Sequence, residues 1–245
     1  MDTLGLAIVL LAGTLLVVLS RTRAATAPRL RIIPGLGRLF RGVGLSVEDG
    51  TRILVALGAG NLLSTNAASA LAGLGALRQI SRKSSVSDQP PVAVAGDASL
   101  ALLAQDTLQA GYQAVGAAPY YQPTAGRLAG LSAFSSAAAT IPILNDESVS
   151  TAALVGHFGL EAALLADAAE RSHVTLVGAS TDAASQAVLF ASASETLIGE
   201  ELFATPAYLG GGRLETASLA VEDIFRWLIV AALLVGAALR VFGVL

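Results

Sequence analysis

A long apolar run opens the chain and constrains its fold more than any other feature. Residues 3–20 contain no charged side chain, and arginines follow the run directly. The run is close to the roughly 20 residues that an α-helix needs to cross a bilayer. A cleaved signal peptide would carry its basic residues before the run rather than after it. We therefore predict a transmembrane anchor at residues 1–22 and a basic juxtamembrane linker at residues 23–45.

A second apolar run lies at the end of the chain. Residues 224–239 are apolar except for Arg226, and Arg240 follows them. This pattern predicts a C-terminal transmembrane helix within residues 216–245. Because arginines follow the first run, the positive-inside rule places both termini outside and the middle of the chain in the cytoplasm. The predicted location is the cell membrane, crossed twice, with the lipid bilayer as a partner.

The composition narrows the classes of function. The chain is 54% hydrophobic and 13% charged, whereas soluble proteins are about 25% charged, and this balance is typical of membrane proteins. No basic face with interleaved aromatic residues is present, so nucleic acid is excluded as a partner. The absence of cysteine excludes disulfides, thiolate metal sites and cysteine nucleophiles.

Between the two runs, short apolar segments alternate with segments of helical pattern. Strand-length segments occur at residues 53–57, 92–95, 151–156, 174–177 and 196–198. Alternation of this kind indicates a parallel sheet with helices on both faces. We predict an α/β domain at residues 46–215 with a Rossmann-like, mainly parallel sheet, flanked by one N-terminal and one C-terminal transmembrane helix.

Small-residue turns follow the predicted strands, and in a parallel sheet such turns meet at the edge where ligands bind. The candidate ligand-binding residues are Gly58, Gly60, Asn61, Gly96, His157, Glu161, Gly178, Ser180 and Thr181. Tight turns also need glycine for conformational reasons alone, so both interpretations stay open. The dinucleotide fingerprint is incomplete because Leu63 occupies the place of its third glycine, and no Walker motif is present.

No residue is predicted to be catalytic. The chain has no Gly-x-Ser-x-Gly motif, and its histidine and carboxylate spacing does not predict a metal site. His157 and Glu161 are one helical turn apart, which would let them pair or face a cleft together. The alternative for His157 is a hydrogen-bonded structural role. We predict no cofactor and no metal, and a protein without enzymatic activity is favoured.

Four residues are candidates for assembly. Glu200 and Glu201 are adjacent carboxylates whose side chains would point about 100° apart on a helix, so one is freer to meet solvent or a neighbouring subunit. The first turn of a helix also stabilises such carboxylates. Ala232 and Gly236 form a small-xxx-small pair that lets another helix approach closely, although small residues are common in membrane helices in general.

The segment Thr196-Leu-Ile-Gly-Glu-Glu-Leu-Phe-Ala204, followed by Ala207-Tyr208-Leu209, resembles the signature of an uncharacterised family of prokaryotic integral membrane proteins, catalogued only as a domain of unknown function. Weaker similarity to other patches extends the resemblance over most of the chain from about Pro34 onward. At Ser194-Glu195 the chain departs from the aspartate and aromatic residue that the family pattern places there. The resemblance implies a topology and a fold, and it brings no activity or catalytic residue.

Two hypotheses about function follow. The first is a structural, self-assembling or accessory role, either as a homo-oligomer or as a subunit of a larger membrane complex, because titratable residues are scarce near the turns and small residues favour close packing. The alternative is a nucleotide- or anion-binding module or enzyme that uses the glycine turns at the strand ends. A transporter or channel has little support, because the two predicted spans contain no acid or histidine.

Overall fold

The structure is a computed structural model that describes residues 3–22 and 31–241. The chain divides into two compact units. The larger unit is residues 31–210 and contains a β-sheet. The smaller unit comprises the described residues of 1–30 and 211–245, which are mainly helical.

The larger unit is built on a six-stranded sheet in which every neighbouring pair of strands is parallel. The strands are β1 (Arg52–Gly58), β2 (Val92–Ala95), β3 (Gly126–Leu128), β4 (Val149–His157), β5 (Thr175–Ser180) and β6 (Glu195–Leu197). Their order is β3-β2-β1-β4-β5-β6, which is the doubly wound order of Rossmann folds. The predicted parallel α/β sheet is therefore confirmed.

Helices connect the strands, and two further helices among the described residues lie in the smaller unit. The helices of the larger unit are α2 (Pro34–Glu48), α3 (Ala67–Ser84), α4 (Ala98–Ala114), α5 (Ala133–Asp146), α6 (Ala162–Arg171), α7 (Ala183–Ser192) and α8 (Glu201–Tyr208). The smaller unit contains α1 (Thr3–Thr22) and α9 (Arg213–Val241), which contact each other.

Alternate residues of the strands contribute to two separate hydrophobic cores. On one face, Ile53, Val55 and Leu57 of β1 pack in a core with residues of α2, α3 and α4. On the other face, Leu54 and Ala56 pack in a core with residues of α5 and α6. Because helices cover both faces, the inner strands are continuously apolar in sequence. The predicted covering of both faces is confirmed.

Two elements of the larger unit were not predicted. Helix α2 begins inside residues 23–45, where we predicted a linker, and continues to Glu48; residues 23–30 of that linker lie outside the described residues. The second is the short strand β3, which was not among the predicted strand segments; α5 begins after Ser132. Ser132 caps α5, because its hydroxyl accepts a hydrogen bond from the amide of Ser135 at 3.3 Å.

The predicted transmembrane helices are not supported. Within residues 3–22 and 31–241, no helix combines the length and the apolar composition that crossing a membrane requires. The sequence of α1 includes the polar residues Thr3, Thr14 and Ser20, and Arg21 lies in its last turn. In α9, Asp223, Arg226 and Arg240 interrupt or bound the apolar stretch. The predicted flanking spans and the two-span placement in the cell membrane were therefore wrong.

Candidate functional site

The order in which strands are added to the sheet reverses between β1 and β4. Parallel α/β proteins bind ligands beyond the carboxyl ends of the strands at such a switch point. β1 ends at Gly58 and β4 ends at His157, and these two residues pair in the sheet. Gly96 directly follows β2, and Thr181 directly follows β5. The structure thus brings these candidate residues to one edge. We call the carboxyl ends of the strands and the turns after them the carboxyl edge.

Backbone atoms close the carboxyl edge at the switch point. Gly58 has a φ of +69°, and a Cβ at this residue would overlap the carbonyl oxygen of His157. The amide of Gly96 donates to the carbonyl oxygen of Gly58 at 2.9 Å, and the amide of Ala59 donates to that of His157 at 3.0 Å. At Gly60, by contrast, an added Cβ would have only ordinary contacts. The amides of Ala59 and Gly96 are therefore already bonded to backbone carbonyl oxygens and are not available to a phosphate.

Asn61 and Asp97 organise the turns after β1 and β2. Oδ1 of Asn61 accepts a hydrogen bond from the amide of Leu63 at 2.8 Å, which forms an Asx turn. Asp97 caps α4 by accepting from the amides of Ser99 at 2.9 Å and Leu100 at 3.2 Å. A further hydrogen bond from the Ser99 hydroxyl lowers the pKa of the Asp97 carboxyl. Both side chains thus stabilise their own turns.

His157 and Thr181 join the ends of β4 and β5. Nδ1 of His157 lies 3.0 Å from Oγ1 of Thr181, a distance that suits a nucleophile and its base. No described side chain bonds to Nε2 to orient the ring. Ser180 is fully buried, and its hydroxyl donates to the Phe158 carbonyl oxygen at 2.8 Å and accepts from the Phe158 amide at 3.2 Å. These contacts hold the two strand ends together and do not complete a catalytic arrangement.

Glu161 is a buried carboxylate that is 5% exposed. Its Oε1 accepts a hydrogen bond from the amide of Gly159 at 2.8 Å, and no described contact joins it to His157. A cavity of about 10 Å³ lies beside it and is also lined by Ser136 and Thr140. This volume is room for about one water molecule. The predicted pairing of Glu161 with His157 is absent, and the space beside Glu161 is too small for a nucleotide.

Gly178 lies inside a strand rather than in a turn. β5 continues through Ser180, and its pairing with β4 includes Gly178. A Cβ at Gly178 would lie 2.8 Å from Cδ2 of Leu189 in α7. The prediction that Gly178 lies in a turn after the strand was therefore wrong. A glycine at position 178 instead leaves space for Leu189 of α7 to pack against the strand.

Glu201 forms contacts within the larger unit. Its carboxylate pairs with the guanidinium of Arg31, and its Oε2 accepts from the amide of Ile198 at 3.2 Å. The hydroxyl of Tyr208 donates to the carbonyl oxygen of Arg31 at 2.6 Å. Glu201 lies in the first turn of α8 as the sequence predicted, and Glu200 is exposed at the N-cap position. Helix α8 thereby anchors the segment that precedes α2.

Acidic side chains dominate the charge of the carboxyl edge. Asp97 follows β2, Asp182 follows β5 and caps α7, and Glu201 follows β6. Among the described residues, Arg31 is also at this edge, and its guanidinium pairs with the carboxylate of Glu201. A bound anion would meet repulsion from these carboxylates. Within the described residues, no group of three or more histidine, aspartate or glutamate side chains is placed to hold a metal ion.

An ion-pair network at the opposite edge of the sheet was missed by the sequence analysis. Glu147 precedes β4, and its Oε2 lies 2.5 Å from Nη1 of Arg52 in β1. The same carboxylate also pairs with the guanidinium of Arg127 in β3. Burial raises the pKa of Glu147, but hydrogen bonds and charges from Arg127 and Arg52 outweigh burial and hold its pKa below the ordinary value. Glu147 is 95 residues from Arg52 and 20 from Arg127, so no local motif could have identified the network.

The two small residues predicted for assembly lie in the smaller unit. Ala232 and Gly236 are one turn apart on α9, and both are exposed. A Cβ added at Gly236 would have nothing within 4 Å. This position is therefore open to close approach by another helix.

Comparison with known protein families gives one match that spans almost the whole chain. The family model described as "Domain of unknown function (DUF6754)" matches residues 2–245, and the chain therefore belongs to this family. Comparisons with curated proteins and with solved structures found no match. The resemblance stated from the sequence is confirmed as far as a domain of unknown function. The match does not show a prokaryotic origin, a membrane location or the Thr-Leu-Ile signature.

Proposed function

We propose that this member of the DUF6754 family is a non-catalytic subunit that assembles with copies of itself through α1 and α9. One observation carries the proposal: both helices expose large apolar side chains along most of their described length. Single exposed apolar residues are ordinary on protein surfaces, but a continuous patch marks an interaction surface. The partner that fits this patch is another apolar helical surface.

The exposed side chains remain after α1 and α9 have packed against each other. On α1 they are Leu6, Ile8, Val9, Leu10, Leu11, Val17 and Val18. On α9 they are Leu214, Ile224, Trp227, Leu228, Ile229, Val230, Leu233, Leu234 and Val235. Contact between the two helices of one chain is thus insufficient to cover their apolar surface.

Small residues give the patch a shape that a helix fits. On α1, Val9, Gly13 and Val17 line an open groove of about 390 Å³. On α9, Ala232 and Gly236 leave a second place for close approach. A second copy of the chain supplies apolar helices for both places, and such self-association generates the symmetric contacts that most homo-oligomers have.

The exposed apolar surface is large enough to support association. Burying the exposed half of about ten such side chains on each of two chains contributes roughly 20 kcal/mol. Lost translational and rotational freedom costs about 4–15 kcal/mol. The hydrophobic contribution therefore offsets this cost in a homodimer.

The nucleotide- or anion-binding alternative has less support. At the carboxyl edge, two turn amides are already bonded to neighbouring carbonyl oxygens. The side chains of Asp97 and Asp182 give this edge acidic charge, which repels anions. The cavity beside Glu161 holds only about one water molecule. Assembly through α1 and α9 does not require a ligand site at the carboxyl edge.

The mass of the purified full chain tests the proposal. We expect native mass spectrometry and sedimentation to find a homo-oligomer whose dissociation constant rises at least about tenfold in Gly236→Leu, equal to ~1.4 kcal/mol. The leucine would hold α9 away from the partner helix, and its Cβ would have no contact within 4 Å outside the adjoining backbone of α9.

Gly44→Leu is the matched control, because Gly44 is an exposed helical glycine of α2 that also has nothing within 4 Å of an added Cβ. This variant should assemble like the unmodified chain. A wild-type chain that stays monomeric, or equal weakening by both substitutions, would contradict the proposal.

A further inference from the structure

A groove at the amino edge of the sheet, where the strands begin, is not used by the proposed assembly. It lies between the α3–β2 and α4–β3 connections and has a volume of about 460 Å³, within the ~300–1,000 Å³ typical of small-molecule sites. We call it the amino-edge groove. Its lining includes Val86, Asp88, Pro90, Tyr112, Tyr120 and Gln122.

Tyr112 presents an unused hydrogen-bonding group to this groove. The residue is only 2% exposed, and no described residue forms a hydrogen bond with its hydroxyl. The neighbouring Tyr121 differs, because its hydroxyl donates to the carbonyl oxygen of Gln105 at 3.1 Å. The hydroxyl oxygen itself is not fully buried, so it reaches the open space of the groove. The Tyr112 hydroxyl is therefore available to a ligand in the groove.

The Tyr112 hydroxyl acts as a donor at neutral pH. Burial raises the pKa of Tyr112 to about 12, so the hydroxyl keeps its proton. A ligand group that meets it gains most by accepting that hydrogen bond.

The outer part of the groove carries negative charge. Asp88 is exposed and forms no ion pair with any described residue, and no arginine or lysine is among the described lining residues. Tyr120 is 73% exposed and lines the same groove. A carboxylate and an open aromatic face together favour a cation. Pro90 and Val86 add apolar surface along the groove.

We propose that the amino-edge groove is a binding site for a small organic amine. The ammonium group faces Asp88 and the ring of Tyr120, and the opposite end accepts a hydrogen bond from Tyr112. The apolar body of the ligand lies along Pro90 and Val86. This site is separate from the carboxyl edge, and it does not depend on the assembly of α1 and α9.

Titration of the full chain with tyramine tests the site. Tyramine carries an ammonium group, an aromatic body and a phenol oxygen at the far end. We expect it to bind more tightly than 2-phenylethylamine, which lacks the phenol oxygen, and much more tightly than 4-hydroxyphenylacetate, which reverses the charge. Isothermal calorimetry gives the three dissociation constants.

Two variants separate the contributions of the groove. Tyr112→Phe removes one hydrogen bond and should weaken tyramine binding about 3- to 10-fold, with no effect on 2-phenylethylamine. Asp88→Asn should weaken both amines about 2- to 5-fold, as expected for an exposed ion pair. Each substitution preserves the size of the side chain, so the fold is kept.

Tyr208→Phe and Asp167→Asn are the controls, because they make the same chemical changes outside the groove, and both should leave amine binding unchanged. The proposal is overturned if tyramine does not bind, or if 4-hydroxyphenylacetate binds equally well. It is also overturned if Tyr112→Phe has no effect, which would mean that the hydroxyl is bonded only to water.

Discussion

Glu147 joins two arginines from different strands, and its charge makes stability depend on pH. Its pKa is held below the ordinary value by Arg127 and Arg52 despite burial. A lowered pKa in the folded state means that the stabilisation is complete above the unfolded pKa of about 4.3 and is lost as pH falls through the folded pKa. Glu147→Gln should therefore lower the free energy of unfolding at pH 7 by about 2 kcal/mol.

Urea unfolding between pH 7 and pH 3 measures this effect. The variant should lose less stability on acidification than the unmodified chain, because it lacks the titrating carboxylate. Asp167→Asn breaks an exposed pair with Arg171 on α6 and should cost only about 0.5 kcal/mol at pH 7. Equal losses in the two variants would show that the Glu147 network contributes no more than a surface pair.

Lys83 gives the opposite dependence on pH. Its Nζ is buried without a described hydrogen-bond acceptor and lies 3.4 Å from the centroid of the Phe40 ring. Burial lowers the pKa of Lys83, so the unfolded chain holds the proton more tightly. The free energy of unfolding should therefore rise as pH increases toward about 10.4. Lys83→Met should remove this rise and increase stability at pH 7 by about 1 kcal/mol.

Chemical unfolding from pH 7 to about 9.5, below the range where tyrosines titrate, measures the Lys83 contribution. Arg82→Met is the control, because Arg82 is the exposed neighbour on the same helix and its removal should leave the slope unchanged. A Lys83→Met slope that matches that of the wild type would disprove this assignment.

At the scale of elements, the contact between the ends of β1 and β4 determines how the carboxyl edge closes. Gly58 and Gly116 have similar left-handed φ values of +69° and +75°. Alanine at either position costs about 1–2 kcal/mol of backbone strain. Only at Gly58 would the new methyl group also overlap the backbone of His157, while Gly116 has nothing within 4 Å.

Gly58→Ala should therefore destabilise the protein by about 2 kcal/mol more than Gly116→Ala. Denaturant unfolding of both variants gives the difference directly, with Gly116→Ala as the control for conformational strain alone. If the two costs are the same, the close approach of β1 and β4 is not what requires glycine at position 58.

At the scale of the whole molecule, the two edges of the sheet have different properties. The carboxyl edge, where this fold usually binds ligands, is acidic and closed by backbone hydrogen bonds. The amino edge contains the ion-pair network of Glu147 and the amino-edge groove. The smaller unit contributes an exposed apolar surface. A ligand site and an assembly surface are thus proposed in different parts of the chain, and each can be tested without the other.

The alternation of strands and helices, and a parallel sheet covered on both faces, could be predicted from the sequence pattern alone. Residues 53–57 and 92–95 are apolar without interruption, and this local pattern depends only on burial of both faces of a strand. The same pattern misled us at the chain ends. Apolar runs at residues 3–20 and 224–239 predicted membrane spans, but no helix among the described residues is both long and apolar enough to be one.

The strand order, the closure of the carboxyl edge, the Glu147 network and the place of the Tyr112 hydroxyl in the amino-edge groove could be seen only in the folded chain. Each of these depends on which distant residues meet. Arg52 and Glu147 are 95 positions apart, and their pairing follows from the placement of β4 beside β1. Local sequence sets the backbone preference of each segment, whereas contacts between segments are set by the packing of the whole sheet and its helices.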